Sequence, residues 1–259
     1  MEKIVILGSG NVAHHLATAL LNSGFEISQI FGRNEISASK LANDINSKYV
    51  CKLSQLEQNA DYYYFCMNDI ANIEISKNIN IKNQNAILIH TAGSQSINIF
   101  SGITKNFGAF YPFQTFTKVV KTDFSKVPIC IEASNIETLE NLKDIANKLQ
   151  CKSYNIDEKG RETLHLCGVF AANFINHCVS ISEELLKESK INPEIINPLL
   201  QQSFYKILTN GATKSQTGPA LREDKPTIEK HLNLLKDKKQ YSEVYKVLTE
   251  SIIEWKKKN

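Results

Sequence analysis

The segment ILGSGNVAHHLATAL, residues 6–20, decides the fold expected for this 259-residue chain. Gly8, Gly10 and Ala13 form a G-x-G-x-x-A spacing between a short apolar run, typical of a buried strand, and a helical pattern. In a dinucleotide-binding loop the first glycine permits the tight turn and the second lets a pyrophosphate approach the backbone. The small third residue lets the helix pack closely on the strand, and the helix N-terminus faces the phosphates. The alternative interpretation is a tight turn that binds no ligand.

The second strand candidate, residues 26–31, indicates which dinucleotide would bind. It leads into Gly32, Arg33 and Asn34, where NAD sites usually carry an acidic residue that holds the ribose hydroxyls. A guanidinium at Arg33 can instead bind the 2′-phosphate of NADP through two parallel hydrogen bonds. The sequence therefore predicts NADP as the cofactor, and the missing acid also counts against an S-adenosylmethionine methyltransferase. The alternative is that Arg33 is an ordinary surface arginine and Asn34 only caps the next helix.

Composition and charge argue against several other classes of protein. The formal net charge of +3 is spread evenly over the two halves of the chain, whereas a nucleic-acid-binding face needs clustered basic residues. No stretch approaches about 20 consecutive apolar residues, so no membrane span is expected. The six cysteines form no C-x-x-C pair, which indicates reduced core residues of a cytoplasmic protein rather than disulfides or metal ligands.

Alternating strand and helix patterns up to about residue 156 predict an α/β domain of the Rossmann type with a mainly parallel sheet. Strands are expected at 3–7, 26–31, 61–66, 86–90, 106–111, 128–133 and 151–154, and helices at 11–22, 36–46 and 136–149. From Asp157 the strand pattern stops, and helices are expected at 157–189, 193–210, 226–236 and 239–256. The sequence thus predicts a dinucleotide-binding domain at 1–156 and an all-α substrate and dimerisation domain at 157–259.

Five segments together resemble those of a known family. They are GSGNVA (8–13), HTAGS (90–94), GAFYPFQTF (108–116), NFINH (173–177) and TGPALREDKPTIEKHL (217–232). They are similar to segments of the NADP oxidoreductases that join a Rossmann domain to a helical domain of unknown function. That family lies within the group of 6-phosphogluconate, β-hydroxyacid and prephenate dehydrogenases, ketopantoate reductase and pyrroline-carboxylate reductase. The resemblance covers nearly the whole chain, and it implies NADP-dependent oxidoreductase activity and a homodimer formed through the helical domains.

The chain departs from that wider group at two positions. Prephenate dehydrogenases carry a His-Pro-Met stretch where this chain has Tyr111-Pro112-Phe113, so Tyr111 or Gln114 would replace the histidine, and prephenate is not the expected substrate. β-Hydroxyacid dehydrogenases carry a proton-donating lysine four residues before an asparagine, and Val169 stands four residues before Asn173 here. Either another acid replaces that lysine or the reaction has been lost.

The helical half offers several candidates for that acid and for substrate binding. Asn173 lies among Ala, Phe and Ile, where burial of an amide without a hydrogen-bond partner would be costly, so it is expected in a site or a buried network. In the segment 217–232, Gly218-Pro219 predicts a turn and Asp224-Lys225-Pro226 predicts a new helix. There Arg222 could bind a substrate carboxylate and His231 could supply a proton. The alternative is that Asp224 caps the helix, Arg222 pairs with it and His231 lies on a solvated face.

The sequence therefore predicts an NADP(H)-dependent oxidoreductase that transfers a hydride to or from a small oxo, hydroxy or imino compound. The alternative is a non-catalytic NADP-binding sensor or partner-binding protein, which the missing lysine favours. The predicted catalytic residues are Asn173, His177, Arg222, Asp224 and His231; the predicted cofactor-binding residues are Gly8, Ser9, Gly10, Asn11, Val12, Arg33, Asn34, Met67, Thr91 and Ala92. No metal, nucleic acid or membrane is expected as a partner.

Overall fold

The computed structural model describes residues 2–258, and eight strands of that region form a single sheet. The strands are β1 (Lys3–Leu7), β2 (Glu26–Phe31), β3 (Lys48–Val50), β4 (Tyr62–Phe65), β5 (Ile87–His90), β6 (Phe107–Pro112), β7 (Ile129–Ala133) and β8 (Ser153–Asn155). Their order across the sheet is β3-β2-β1-β4-β5-β6-β7-β8. Neighbouring strands are parallel except β6 and β7, which are antiparallel. The predicted mainly parallel sheet is confirmed.

Both faces of the sheet are buried. Along β1, Ile4 and Ile6 belong to one hydrophobic cluster, whereas Val5 and Leu7 belong to the other. Successive side chains of a strand point to opposite faces, so a strand covered on both sides needs an unbroken apolar run, which β1 has.

Four helices cover the two faces. They are α1 (Asn11–Asn22), α2 (Glu35–Asp44), α3 (Asp69–Asn78) and α4 (Ile136–Lys148). Buried residues of α1, α2 and α4 pack into the first cluster, and Ile75 of α3 packs into the second. Short 3-10 helices lie at Leu53–Gln55, Ile97–Phe100 and Phe124–Lys126. The predicted helices at 11–22 and 136–149 are found within one residue of their expected bounds, whereas α3 and the strand β3 are not anticipated by the sequence.

The carboxyl ends of four parallel strands lie side by side. Leu7 pairs with Phe31 on one side and Phe65 on the other, and Phe65 pairs with His90. The segments that follow β1, β2, β4 and β5 therefore meet at one edge of the sheet, which is where open α/β sheets bind their ligands.

The rest of the described chain is helical, as predicted. Its helices are α5 (Glu158–Gly168), α6 (Ile175–Glu188), α7 (Asn197–Asn210), α8 (Ala212–Ser215), α9 (Pro219–Arg222), α10 (Lys225–Leu234) and α11 (Lys239–Lys258). A π-helical turn, Val169–Phe174, connects α5 and α6, so the helix expected at 157–189 is interrupted in its hydrogen-bonding pattern. A 3-10 helix, Pro193–Ile196, precedes α7, where the sequence predicts one continuous helix.

The chain divides into two compact units, one ending at Asn173 and the other beginning at Phe174. The change from strands to helices occurs earlier, between β8 and α5. Helix α5 therefore belongs to the unit that contains the sheet, although the sequence assigns it to the helical domain.

The second unit has very few buried side chains. Within residues 174–258, only Ala220, Leu235 and Thr249 are classed as buried. By length and composition alone, the helical stretch Glu158–Glu188 could cross a membrane, because an 18-residue window in it has a mean hydropathy of 1.4, and none of that window is buried. The core helix of a soluble protein passes the same test, so the expectation that the chain has no membrane span stays a prediction.

Candidate cofactor and substrate site

Gly8 occupies a position that strongly favours glycine. Its φ is +127°, in the region that L side chains rarely adopt, and its backbone N–H donates to the carbonyl oxygen of Phe31 at 2.7 Å. A Cβ built on Gly8 would lie 2.6 Å from the carbonyl oxygen of Cys66. The tight turn after β1 therefore packs against the chain after β4 and depends on glycine even without a ligand.

Gly10 is in an ordinary conformation, and the space beside it is open. Its φ is −79°, and a Cβ built there would meet no atom of the described chain within 4 Å. Within that chain, α1 starts with neither a side-chain cap nor an acidic residue in its first turn, whereas Asn34, Asn68 and Asn135 cap α2, α3 and α4. Helix α1 thus presents its first backbone N–H groups at an opening that a side chain at position 10 would fill. This arrangement fits a dinucleotide pyrophosphate.

Lys118 lies against this glycine loop. Its Nζ donates to the carbonyl oxygen of Ser9 at 2.9 Å, and the side-chain amide of Asn11 donates to the carbonyl oxygen of Phe116 at 2.8 Å. The segment after β6 therefore contacts the glycine loop and the start of α1 through Lys118 and Phe116, and Lys118 brings an ammonium group to the loop. The sequence analysis missed Lys118, because nothing near residue 118 in the chain indicates a contact with residue 9.

Arg33 lies at the end of β2 and pairs with an acid on α3. Its Nη1 is 3.0 Å from Oε2 of Glu74, and the two side chains are 55% and 58% exposed. Asn34 caps α2, since its side chain accepts a hydrogen bond from the backbone N–H of Ser37 at 2.9 Å. The side chain of Asn34 therefore caps the helix, which is the alternative interpretation given above. The guanidinium of Arg33 lies on the surface.

The other predicted cofactor-binding residues line the same edge of the sheet. Val12 and Met67 are half-buried, each packed against one of the two hydrophobic clusters. Thr91 is buried, and its backbone N–H and hydroxyl both donate to the carbonyl oxygen of Phe65, at 3.2 and 3.4 Å. The backbone N–H of Ala92 donates to Nδ1 of His90 at 3.2 Å. The segment after β5 is therefore held in a fixed conformation.

His90 is fully buried beneath this segment. Burial, with a smaller contribution from the charge of Arg161, lowers the pKa of His90 to about 3. The ring is therefore neutral near pH 7. Because Nδ1 accepts the hydrogen bond from Ala92, we assign the ring proton to Nε2.

Arg161 ties α5 to the segment after β5. It is fully buried, and its guanidinium donates to the Glu132 carboxylate, with Nε 3.2 Å from Oε2. Its Nη1 donates to the carbonyl oxygens of Ala92, Gly93 and Gln95 at 3.2, 3.3 and 3.0 Å. Sequence reasoning missed this buried ion pair, because an arginine in the first turns of a helix is usually exposed.

A cavity of about 210 Å³ lies beside Tyr111 of β6 and His165 of α5. The phenolic Oη of Tyr111 is 3.3 Å from Nδ1 of His165. Phe113, Gly168 and Asn173 are among the other lining residues. No Lys, Arg, Asp or Glu occurs among the ten described residues that line the cavity.

Asn173 lines this cavity but is exposed. Of the two expectations for Asn173, a place in a site or in a buried network, its exposure within the described chain argues against the second, because the apolar window of the helical stretch Glu158–Glu188 is itself unburied. Its predicted place in a site remains a prediction.

The other predicted catalytic residues lie in the second unit. His177 and Arg222 are exposed. Asp224 caps α10 by accepting hydrogen bonds from the backbone N–H and the hydroxyl of Thr227, at 3.2 and 2.8 Å. These bonds, with smaller contributions from the nearby positive charges of Arg222 and His231, lower the pKa of Asp224.

His231 has a specific partner within the helical unit. Its Nδ1 lies 2.9 Å from the hydroxyl of Tyr245 on α11. The residue is partly buried against α11, which argues against the alternative in which His231 lies on a solvated face. The new helix after Asp224 is confirmed, whereas Gly218-Pro219 does not form a simple turn, because Pro219 begins the four-residue helix α9.

Two family models match the chain. Residues 3–93 match the model described as NADP oxidoreductase, coenzyme F420-dependent, and residues 127–252 match a domain of unknown function, DUF2520. No curated protein matches the sequence.

Several solved structures resemble the whole chain. The imine reductase of Myxococcus stipitatus, solved with NADP⁺, has a TM-score of 0.67 at 13% identity, over 97% of this chain and 93% of its own. The 1-pyrroline-5-carboxylate reductase of Streptococcus pyogenes has a TM-score of 0.63 at 14% identity, over 97% and 98%. At such low identity these two structures show the fold alone.

A much closer likeness shows the family. BF3122 of Bacteroides fragilis, a protein provisionally named an NADP oxidoreductase, shares 37% identity over 98% of both chains, with a TM-score of 0.94. The chain therefore belongs to the family of NADP oxidoreductases in which an NADP-binding Rossmann domain is followed by the helical domain DUF2520.

Proposed function

We propose that the protein uses NADP(H) to transfer a hydride to or from a small oxo, hydroxy or imino compound. The observation that carries the proposal is the start of α1, where uncapped backbone N–H groups face open space beside Gly10. Helix N-termini of this kind bind phosphate through N–H groups and the helix dipole. Membership of an NADP oxidoreductase family supports the same cofactor.

Each part of the carboxyl edge has a role in holding the cofactor. The first turn of α1 binds the pyrophosphate, and Lys118 adds a positive charge at the glycine loop. Arg33 binds the 2′-phosphate, which distinguishes NADP from NAD. The segment Thr91–Gly93 supports the nicotinamide end, because its conformation is fixed from below by Arg161. When bound, the nicotinamide supplies or accepts the hydride.

The cavity beside Tyr111 is the proposed place for the substrate. At about 210 Å³ it is smaller than the pockets that hold drug-sized ligands, which run from roughly 300 to 1,000 Å³. It adjoins the segment after β5, since Gly93 packs against the rings of Tyr111 and His165. A small substrate there would lie next to the nicotinamide end of the cofactor.

One observation favours the alternative of a non-catalytic NADP-binding sensor. Val169, in the π-helical turn that lines the cavity, stands where the resemblance would place a proton-donating lysine.

Measuring turnover of NADPH decides between the oxidoreductase and the sensor. The purified protein is titrated calorimetrically with NADPH and NADH, then mixed with NADPH and small ketones or imines while the absorbance of the reduced nicotinamide is followed. Binding without oxidation of NADPH by any compound would favour the sensor, and absence of NADPH binding would overturn both functions.

We further propose that the protein is a cytoplasmic homodimer. The second unit buries only three described residues, and large apolar side chains such as Leu199 and Leu208 are 66% and 84% exposed. A helical unit of this size needs to bury an apolar face, and a second copy of the chain can cover it. The six free cysteines suit a reducing compartment. Sedimentation equilibrium of the full chain without detergent tests the proposal, which a stable monomer or a requirement for detergent would overturn.

A further inference from the structure

Tyr111 and His165 are two polar residues that line the cavity in the first unit. Their Oη and Nδ1 atoms are 3.3 Å apart, a distance at the long end for a hydrogen bond. Catalytic hydrogen bonds are often long before the substrate binds. A Cβ built on Gly93 would lie 2.9 Å from Cζ of Tyr111 and 3.0 Å from Cβ of His165, so both side chains pack directly on the segment after β5.

The positions of the two rings are fixed by the fold. Tyr111 belongs to β6 and pairs with Cys130 in the antiparallel ladder between β6 and β7. His165 lies one helical turn after Arg161, which is fully buried and hydrogen-bonded to the carbonyl oxygens of Ala92 and Gly93. Both rings are therefore held by regular secondary structure, which positions a reactive pair more accurately than a loop does.

The remaining cavity wall carries no formal charge among the described residues. Phe113, Gly168 and Ala172 make it apolar, and its other polar groups are side-chain amides and a hydroxyl. A substrate carboxylate would find no cationic partner on this wall, whereas the oxygen or nitrogen of a neutral C=O or C=N group could accept a hydrogen bond from Tyr111.

The phenol of Tyr111 is a proton carrier at neutral pH. Burial raises the pKa of Tyr111, with a further contribution from Cys130 that outweighs the opposing charge of Arg161. The hydroxyl is therefore protonated near pH 7 and able to donate to an acceptor in the cavity. A phenolate formed by such a donation would be the stronger base, and His165 is the group in contact that can return a proton to it.

We propose that Tyr111 donates the proton to a small uncharged carbonyl or imine substrate and that His165 restores it. The inference rests on the proposed NADP(H)-dependent reduction. Hydride from the reduced nicotinamide forms a C–H bond at the substrate carbon, and the C=O or C=N π electron pair takes the proton of Tyr111. The products are an alcohol or amine and the oxidised nicotinamide. The phenolate then takes a proton from the Nδ1–H of the neutral His165 ring, and Nε2 of the same ring takes one from water.

The test compares Tyr111→Phe and His165→Gln with the wild-type protein and with Tyr154→Phe. The control removes a hydroxyl from an exposed tyrosine of β8. Substrates are matched pairs: 1-pyrroline with 1-pyrroline-5-carboxylate, and butanone with 2-oxobutanoate. Rates are measured from about pH 6 to about pH 9, a range that includes neutrality. NADPH affinity is measured by fluorescence titration. The ring ¹⁵N resonances of His165 are assigned as those missing from the spectrum of His165→Gln.

We expect Tyr111→Phe to lower kcat on the uncharged substrate by about 10²–10⁴-fold, the range for loss of a general acid, while NADPH affinity changes less than about twofold. His165→Gln should alter the pH dependence of kcat, and Tyr111→Phe should shift the His165 ring nitrogens. Tyr154→Phe should change none of these quantities.

Two results would overturn the proton-donor inference and leave the proposed function standing: wild-type-like turnover by Tyr111→Phe, or preference for the carboxylate-bearing partner in each pair. Unchanged His165 shifts in Tyr111→Phe would overturn the role of His165. Wild-type protein that binds NADPH and reduces no substrate would overturn the proposed function, and the inference with it.

Discussion

Replacing Arg33 with alanine should convert an NADP-selective site into one that binds both dinucleotides similarly. If the guanidinium binds the 2′-phosphate, its removal deletes a hydrogen bond between charged groups, worth about 1.5–3 kcal/mol. At 1.4 kcal/mol per tenfold change, NADPH affinity should fall about 10- to 150-fold. NADH has no 2′-phosphate, so its affinity should change little.

The neighbouring acid modifies this expectation. Glu74 pairs with Arg33 at 3.0 Å, and both side chains are more than half exposed, so the pair contributes only about 0.2–1 kcal/mol. The phosphate must compete with this carboxylate for the guanidinium and is also repelled by it. Glu74→Gln should therefore strengthen NADPH binding by up to about fivefold without affecting NADH.

Calorimetric titration of the wild type and the variants with both dinucleotides measures these differences. Lys105→Ala is the control, because it removes one exposed positive charge just before β6, at the amino end of a strand parallel to β5 and remote from the carboxyl edge. Raised salt should reduce the Arg33 effect, since exposed charges are screened. Equal loss of NADPH and NADH affinity in Arg33→Ala, or an equal loss in the control, would refute the assignment of the 2′-phosphate to Arg33.

Four further predictions concern the same edge of the sheet. Gly10→Val should keep the fold and abolish dinucleotide binding, and a folded variant that still binds NADPH would contradict this. Gly8→Ala should lower the denaturation midpoint, because a Cβ at Gly8 meets backbone atoms within 3 Å and one at Gly10 does not. Lys118→Gln should weaken NADPH and NADH equally in titration, by about two- to tenfold, since its ammonium lies at the glycine loop. Arg161→Met should cost about 3 kcal/mol in urea unfolding, the low end for breaking a buried pair, because it leaves the partly buried carboxylate of Glu132 and three carbonyl groups without their donor; a loss below about 1 kcal/mol would contradict this role of Arg161. The free energy of unfolding should fall as pH decreases from about 6.5 towards 3. In this range the unfolded imidazole of His90 is mostly protonated and the folded one is mostly neutral, so protons favour the unfolded state. His90→Gln should flatten that slope by up to about 1.4 kcal/mol per pH unit.

The elements that the sequence predicted well are those whose buried face is apolar. The strand at 26–31 and the helix at 11–22 match their predicted bounds. Helix α3 was not anticipated, because its buried face includes Asn72 and Ser76 and its apolar pattern is correspondingly weak. The amide of Asn72 donates to the side-chain oxygen of Gln95 at 2.8 Å, a contact that no local pattern reveals. Strand β3 has three residues and no buried one, so it carries no apolar signal either.

In the candidate site, contacts between residues close in the sequence could be predicted, whereas contacts between distant residues could not. The capping roles of Asn34 and Asp224 depend on residues three positions away, and sequence reasoning could consider both. The contacts of Arg161 with Glu132, of Tyr111 with His165 and of Lys118 with Ser9 join residues 29, 54 and 109 positions apart. Only the folded sheet brings these pairs together, and none of them is predicted by spacing.

The exposure of Asn173 belongs to a feature of the whole helical stretch Glu158–Glu188. The apolar residues around Asn173 are typical of a buried position, yet the 18-residue window of highest hydropathy in this stretch is unburied in the described chain. Exposed apolar surface of this extent is unfavourable in water, so these side chains require a cover. In the proposed homodimer a second copy supplies it, and the penalty for burying an unpaired amide would then apply to Asn173 within the dimer. Sequence reasoning could not separate these cases, because an intrachain core and an interface between copies both require the same apolar residues.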